Sequence, residues 1–224
     1  MDKYEIISKI EKFAPPETQE SWDCSGWIVD NGKSEVNKVL FALTITDKIY
    51  EQAIASECDL IISHHPLFCV PIHYKNIDMY CAHTNLDKAY GGTTDLLLKT
   101  LGYVGEPFGD FVRIVDFEKE MSVEYLKVKL IYISPKLRVV NNDDKKLIKR
   151  VGFCAGSGSE FISETPCDAF VTGDIKFHTA IESDKVLFDI GHFESEIFAV
   201  KFLKELTELS EREGIIAKEE SPFS

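Results

Sequence analysis

The stretch Leu60-Ile61-Ile62-Ser63-His64-His65-Pro66 constrains the fold more than any other part of the chain, because an apolar run stops abruptly on two adjacent imidazoles. Three consecutive apolar residues have the character of a strand covered on both faces, as in a parallel sheet flanked by helices. The carboxyl end of such a strand is where open α/β sheets bind their ligands. Pro66 keeps His65 extended, so the chain does not curl straight into a helix. Neighbouring side chains alternate faces on a regular strand, but at its end that constraint relaxes, and each ring is able to serve a different metal ion. Taken alone, the pair fits two turn histidines without a ligand equally well.

The surrounding pattern supports the parallel sheet. A strand over 39–45, a helix capped by Asp47 and running to about 57, and a strand over 59–63 form a βαβ unit with a right-handed crossover. Upstream, Ile6, Ile7, Ile10 and Phe13 mark a helix over 4–13 that Pro15-Pro16 ends. An aromatic-rich turn then carries Trp22, Asp23, Cys24 and Gly26 into a short strand, with Asp23 expected to make an Asx-turn and, as the alternative, to lean into a site. A strand over 77–82 also stops on a histidine, in the run His83-Thr84-Asn85-Leu86-Asp87. Gly91-Gly92 precedes a helix from Thr93 that Gly102 stops, and this pair lacks the Lys-Ser/Thr of a phosphate loop.

Turn-rich residues 105–110 suggest a boundary, giving domains 1–105 and 106–224. The second half reads as a strand over 111–117, a helix over 122–133, and strands over 137–141 and 147–154. The last of these enters the loop Ala155-Gly156-Ser157-Gly158-Ser159, by default a tight strand-to-helix turn. A strand over 169–172 leads into Gly173-Asp174-Ile175-Lys176-Phe177-His178. A strand over 185–190 delivers Gly191-His192, and one helix is expected from 193 to about 210, with residues 190–210 packing back onto the first domain.

The charge balance narrows the class of partner. A formal net charge of −13 on 224 residues, in a chain that is 44% hydrophobic and 28% charged, argues against a nucleic-acid groove or an anionic membrane surface. A nucleotide-sized substrate stays open, because bound cations invert the local field. No apolar run is long enough for a membrane span and the first helix is too charged for a signal peptide, so a cytoplasmic location is expected. The six cysteines form no C-x-x-C pair and read as reduced thiols.

Four of the six histidines, His64, His65, His83 and His192, lie directly beyond expected strands. Carboxylates accompany them at useful spacing: His192 and Glu196 fall on one helix face, and Asp87 lies four beyond His83 in a turn. Imidazole and carboxylate without thiolate favour zinc, iron, manganese or magnesium. Two such ions bridged by a carboxylate and a water supply hydroxide at neutral pH. His178, at an expected helix start, either joins the site or bonds backbone, and His73 is expected at the surface. Lys176 and Asp174 form a pair, or only a cap and a solvated charge.

The runs DLIISHHPLF, CAHTNLD, TGDIKFH and DIGHFESE, in this order and with Trp22-Asp23 and Gly26 near the start, resemble the dinuclear-metal-centre family, also called Nif-three-like. Its members often carry the name GTP cyclohydrolase I type 2 homologue. The resemblance covers nearly the whole chain. It implies two similar α/β domains with mixed sheets flanked by helices, a metal site in the cleft between them, and a toroidal homohexamer. It further implies that His64, His65, Asp87, His192 and Glu196 hold two divalent metals, with Glu196 as the bridge and His83 and His178 close by. The roughly hundred residues between Asp87 and His192 match a short form without the family's inserted domain. Thr44, Cys24 and Trp27 depart from the residues usual in the family, which bears on the substrate pocket rather than on the ligands.

The leading expectation is a metal-dependent hydrolase of a heterocyclic or nucleotide substrate. The resemblance implies opening of the purine ring of GTP by metal-bound hydroxide, with His83 or His178 as proton shuttle. A two-metal phosphoesterase and a non-enzymatic, metal-loaded scaffold are the alternatives.

Overall fold

The computed structural model describes residues 1–223. It divides into two α/β units, one formed by Met1–Ala89 together with the chain from Ile197 onward, the other by Tyr90–Glu196. The sequence expectation of 1–105 and 106–224 differs from this division at both ends. The helix Thr93–Leu101 belongs to the second unit, where it meets the segment His192–Glu196 and the strand Val112–Ser122. The chain re-enters the first unit at Ile197.

The first unit is built on a five-stranded sheet. Helix α1 (Lys3–Phe13) starts where the Asp2 carboxylate accepts the N–H groups of Tyr4 and Glu5. β1 (Gly26–Val29), β2 (Val39–Ala42), α2 (Asp47–Ala55), β3 (Leu60–Ser63), β4 (Asp78–Cys81) and α3 (Thr84–Lys88) follow. Thr46, not Asp47, caps α2, accepting from Ile49 N–H, and Asp47 stands in the first turn. The strand order is β1-β4-β3-β2-β11, where β11 (Gly214–Ile216) comes from the end of the chain. β2, β3, β4 and β11 run parallel and β1 pairs antiparallel with β4. Every residue of β2, β3 and β4 is buried, as a sheet covered on both faces requires. Each fully buried Ile or Leu there contributes about 1.5–3 kcal/mol.

A charged group is also enclosed in this unit. Lys3, 0% exposed, reaches Asp78 at 2.7 Å and Asp30 at 2.6 Å, and its Nζ lies 4.9 Å from the centre of the Trp27 ring. Burial alone would lower its pKa, but the two carboxylates outweigh that and raise it.

The second unit holds α4 (Thr93–Leu101), β5 (Glu106–Phe108), β6 (Val112–Ser122), α5 (Val123–Ile131), β7 (Arg138–Val140), β8 (Leu147–Phe153), β9 (Ala169–Thr172), α6 (Phe177–Glu182), β10 (Val186–Asp189) and α7 (His192–Glu196). Its sheet runs β5-β6-β8-β9-β10-β7, with parallel pairs only at β8/β9 and β9/β10. The mixed sheets and flanking helices match the expected fold class. The single helix expected from 193 to 210 is instead two, α7 and α8 (Phe198–Thr207), with Ile197 between them. β5, β11 and the helix α3, read from sequence as turn or tail, are short elements completed by tertiary pairing. Among the described residues no helix is long and apolar enough to cross a membrane.

Candidate metal centre

In the first unit the parallel strands β3 and β4 bring three histidines together. The ladder continues past β3, with His64 N–H donating to the Ala42 carbonyl at 3.2 Å and His65 N–H to that of Leu43 at 2.8 Å. The ligand atoms of His64, His65 and His83 lie within 4.8 Å of one another. Their ring centroids are 4.9 to 5.6 Å apart. Asp87 joins them from α3, its Oδ1 lying 3.5 Å from His64 Nε2. The helix start, not the expected turn, sets this placement: Asp87 N–H donates to the His83 carbonyl at 3.0 Å, which puts both side chains on one turn.

Each ring is held from behind through Nδ1. His64 donates to the Ala82 carbonyl at 2.8 Å, His65 meets the Thr44 hydroxyl at 2.6 Å, and His83 donates to Asp23 at 2.9 Å. Carbonyl and carboxylate oxygens only accept, so Nδ1 of His64 and His83 carries the proton and Nε2 keeps its lone pair for a cation or a proton. Thr44, where the resembling family often has aspartate, supplies a neutral hydroxyl instead.

Asp23 does more than the expected Asx-turn. One oxygen accepts Cys24 N–H at 2.7 Å as well as His83, and the other accepts Ser25 Oγ–H and Thr84 N–H, each at 3.0 Å. Burial would raise its pKa, but the bonds from Thr84 and His83 outweigh that and hold the acid down at about 2. The Trp22 ring stands 6.1 Å from that of His83. His83 N–H donates to Ser25 Oγ, so the aromatic turn and the end of β4 are one structure.

In the second unit His192 and Glu196 share one face of α7, with Nε2 and Oε2 2.9 Å apart. His192 Nδ1 donates to Asp174 at 2.6 Å, repeating the pattern of the first unit. Asp174 therefore serves His192 rather than pairing with Lys176, which is exposed. It does so from a left-handed backbone, φ +53°, rare for a non-glycine residue and a mark of functional turns. Burial alone would lower the His192 pKa, but Glu196 and Asp174 outweigh it and push the imidazole up to about 9. Two carboxylates around one ring thus favour a cation at Nε2, and a metal ion competes with the proton there.

The loop Ala155–Ser159 is the seat of this pair. Gly156 has φ +66°, and a Cβ there would lie 2.1 Å from Glu196 Oε1. Gly156 N–H donates to Ser195 Oγ at 2.9 Å, and that hydroxyl donates to the His192 carbonyl at 2.7 Å. A Cβ at Gly173 would meet the His192 nitrogen at 2.7 Å, so the turn before Asp174 also packs directly on α7. His178 is exposed on α6, its ring 5.5 Å from that of Phe177, and His73 is exposed as expected.

These donors fit divalent cations: imidazole nitrogens and carboxylate oxygens without thiolate, each ring fixed by a hydrogen bond on its far nitrogen. Sequence reasoning singled out the ligand-type residues and named Asp23 and Asp174, but it did not read their roles behind His83 and His192, nor that of Gly156 beside Glu196, because these depend on long-range contacts. The sequence signal for the first two is that each belongs to a run that carries the resemblance.

The family model described as Duf34/NIF3 (NGG1p interacting factor 3) matches residues 1–220. A Campylobacter jejuni protein named "GTP cyclohydrolase 1 type 2 homolog" is 35% identical, the match covering 98% of this chain and 97% of that protein. Among solved structures, reduced HcgD from Methanocaldococcus jannaschii is 27% identical with a TM-score of 0.80, covering 96% of this chain and 97% of that one. A Bacillus cereus protein related to NIF3 has the same fold, with a TM-score of 0.81 at 19% identity over 100% and 99% of the two chains. With the histidine-bearing strand ends, the mixed sheets and a match along nearly its whole length in agreement, the chain belongs to the Duf34/NIF3 family.

Proposed function

We propose that this protein binds a pair of divalent metals and acts as a hydrolase on a heterocyclic or nucleotide substrate. The observation that carries the reading is the shared anchoring of four imidazoles through Nδ1, a pattern typical of metal-ligating histidine. His192 and Glu196 offer two donors, too few for a closed shell, and the set of His64, His65 and Asp87 complements them. In this reading His64, His65, Asp87, His192 and Glu196 would hold the metal pair. Divalent cations, when bound, supply Lewis acidity and acidify a coordinated water.

The protein's own groups account for the proton traffic. Opening the imidazole ring of a purine takes up water and releases the ring carbon as formate, so a proton must leave water and another must reach a ring nitrogen. His83 is suited to carry them, because Asp23 holds its Nδ1–H and leaves Nε2 to exchange the proton. His178, the alternative carrier, is exposed on α6 and belongs to none of the groups of ligand-type side chains formed by the described residues, which favours His83, and the name of the Campylobacter relative supports GTP as the first substrate to try. The test is to load purified protein with Zn2+, Mn2+, Fe2+ or Mg2+ and to measure metal content, formate and orthophosphate with GTP. Formate release that is lost in His83→Ala supports the proposal. No turnover with any metal refutes hydrolysis of GTP, and orthophosphate without formate replaces it with phosphoester cleavage.

A further inference from the structure

At the carboxyl end of β2 the chain's own tail enters the metal-centre architecture. The N–H groups of Leu43 and Thr44 donate to the two carboxylate oxygens of Glu219, at 2.6 and 3.0 Å. Two successive amides aimed at one acid form a small anion-binding concavity. The tail that fills it is itself pinned. Ala217 N–H donates to the Phe41 carbonyl at 2.8 Å, and Lys218 exchanges two hydrogen bonds with the Gln52 side chain, at 2.9 and 3.0 Å.

The same two residues of the β2 exit hold His65. Its backbone N–H donates to the Leu43 carbonyl, and its Nδ1 meets the Thr44 hydroxyl. β2 ends at Ala42, so Leu43 and Thr44 lie beyond the assigned strand, and Glu219 receives their N–H groups there. Without that acid both amides lose their acceptor, and the hydroxyl behind the ring loses its fixed origin.

We infer that Glu219 is a positioning residue for His65: by capping Leu43 and Thr44 it sets the Thr44 hydroxyl against Nδ1 and so aims Nε2 at the metal centre. The aim at a metal rests on the reading above, whereas the effect on the ring does not. A purely structural strap would stabilise the sheet without touching the imidazole, and this difference can be measured.

The experiment uses the full chain with Glu219→Ala, Glu219→Gln, Thr44→Val and Thr44→Ser, and two readouts. In metal-free protein, long-range 1H–15N spectra should show His65 as one tautomer in the wild type and in Thr44→Ser. Glu219→Ala and Thr44→Val should show a tautomer mixture, with His64 and His83 unmoved. Zn2+ affinity, from competition with a chelator, should fall about tenfold in the same two variants and less in Glu219→Gln. If Glu219→Ala does not fold, Glu219→Gln and Thr44→Val carry the comparison. Identical His65 signals in wild type and the Glu219 variants overturn the inference. So does a Glu219 variant that melts earlier yet binds Zn2+ as the wild type does. A wild type that binds no divalent cation, while its His65 tautomer still answers to Glu219, refutes the metal centre and supports the positioning role.

Discussion

Replacing Gly156 by alanine tests whether the loop after β8 is a seat for a ligand carboxylate. The added Cβ would stand 2.1 Å from Glu196 Oε1 and 3.6 Å from His192 Nε2. Non-bonded atoms settle near 3.5–4.0 Å, so the carboxylate must retreat by about 1 Å or more. Metal–oxygen bonds tolerate only about 0.2 Å around their ideal length, so a shift of that size removes Glu196 as a ligand. The backbone adds its own cost, since φ is +66° and an alanine held there loses about 1–2 kcal/mol. For a chain of this size each kcal/mol corresponds to about 2–4 °C in Tm. Gly32→Ala isolates that cost, because Gly32 has φ +75° with nothing within 4 Å of a built Cβ. Melting curves of metal-free protein, followed by Zn2+ and Mn2+ titrations against a chelator, separate the two effects. Both variants should melt earlier, and only Gly156→Ala should lose metal affinity, by about tenfold to a hundredfold. A Gly156→Ala protein that binds metal within twofold of the wild type would refute the assignment of Glu196.

Three further outcomes follow from the same geometry. Lys3→Met leaves Asp78 buried without its cation and should destabilise the protein by about 3–5 kcal/mol in urea unfolding, and a loss below about 1 kcal/mol contradicts the enclosed pair. Asp23, held at about 2 against an ordinary 3.8, contributes stability that is complete above pH 4 and is lost as pH falls towards 2. That contribution is about 2 kcal/mol, so the stability difference between wild type and Asp23→Asn should shrink over that interval, and a constant difference argues against it. Stripping divalent ions should lower Tm, and returning one at a hundred times its Kd should restore about 2.7 kcal/mol, or roughly 5–10 °C, whereas an unchanged melt speaks against a metal site.

Much of this architecture is legible in the sequence, because uninterrupted apolar runs that stop on histidine mark both the central strands and their functional ends. His64, His65 and His83 gather as that pattern implies, and the four-residue spacing of His192 and Glu196 survives as one face of α7. The break at Ile197 is not legible, because its side chain continues the apolar stripe and its backbone stays in the right-handed helical region. β11 is equally silent, since three residues pair with β2 only because distant strands have already formed a sheet edge. The pairings of Asp23 with His83 and of Asp174 with His192 are not legible for a related reason, each acid lying on a turn whose partner is 60 or 18 residues away.

The route of the chain through its two units has a consequence for biosynthesis. Tyr90–Glu196 is one uninterrupted stretch, whereas the first unit is assembled from the segments on either side of it. A ribosome therefore releases every strand of the second sheet before it has made β11, which flanks β2, or α8, whose Phe202 ring rests 4.9 Å from Phe13. The earlier segment waits unfinished, with the edge of β2 open, until β11 emerges. A nascent chain stalled before residue 197 should carry a protected centre and protease-sensitive flanks, the reverse of the order in which the two sheets are encoded.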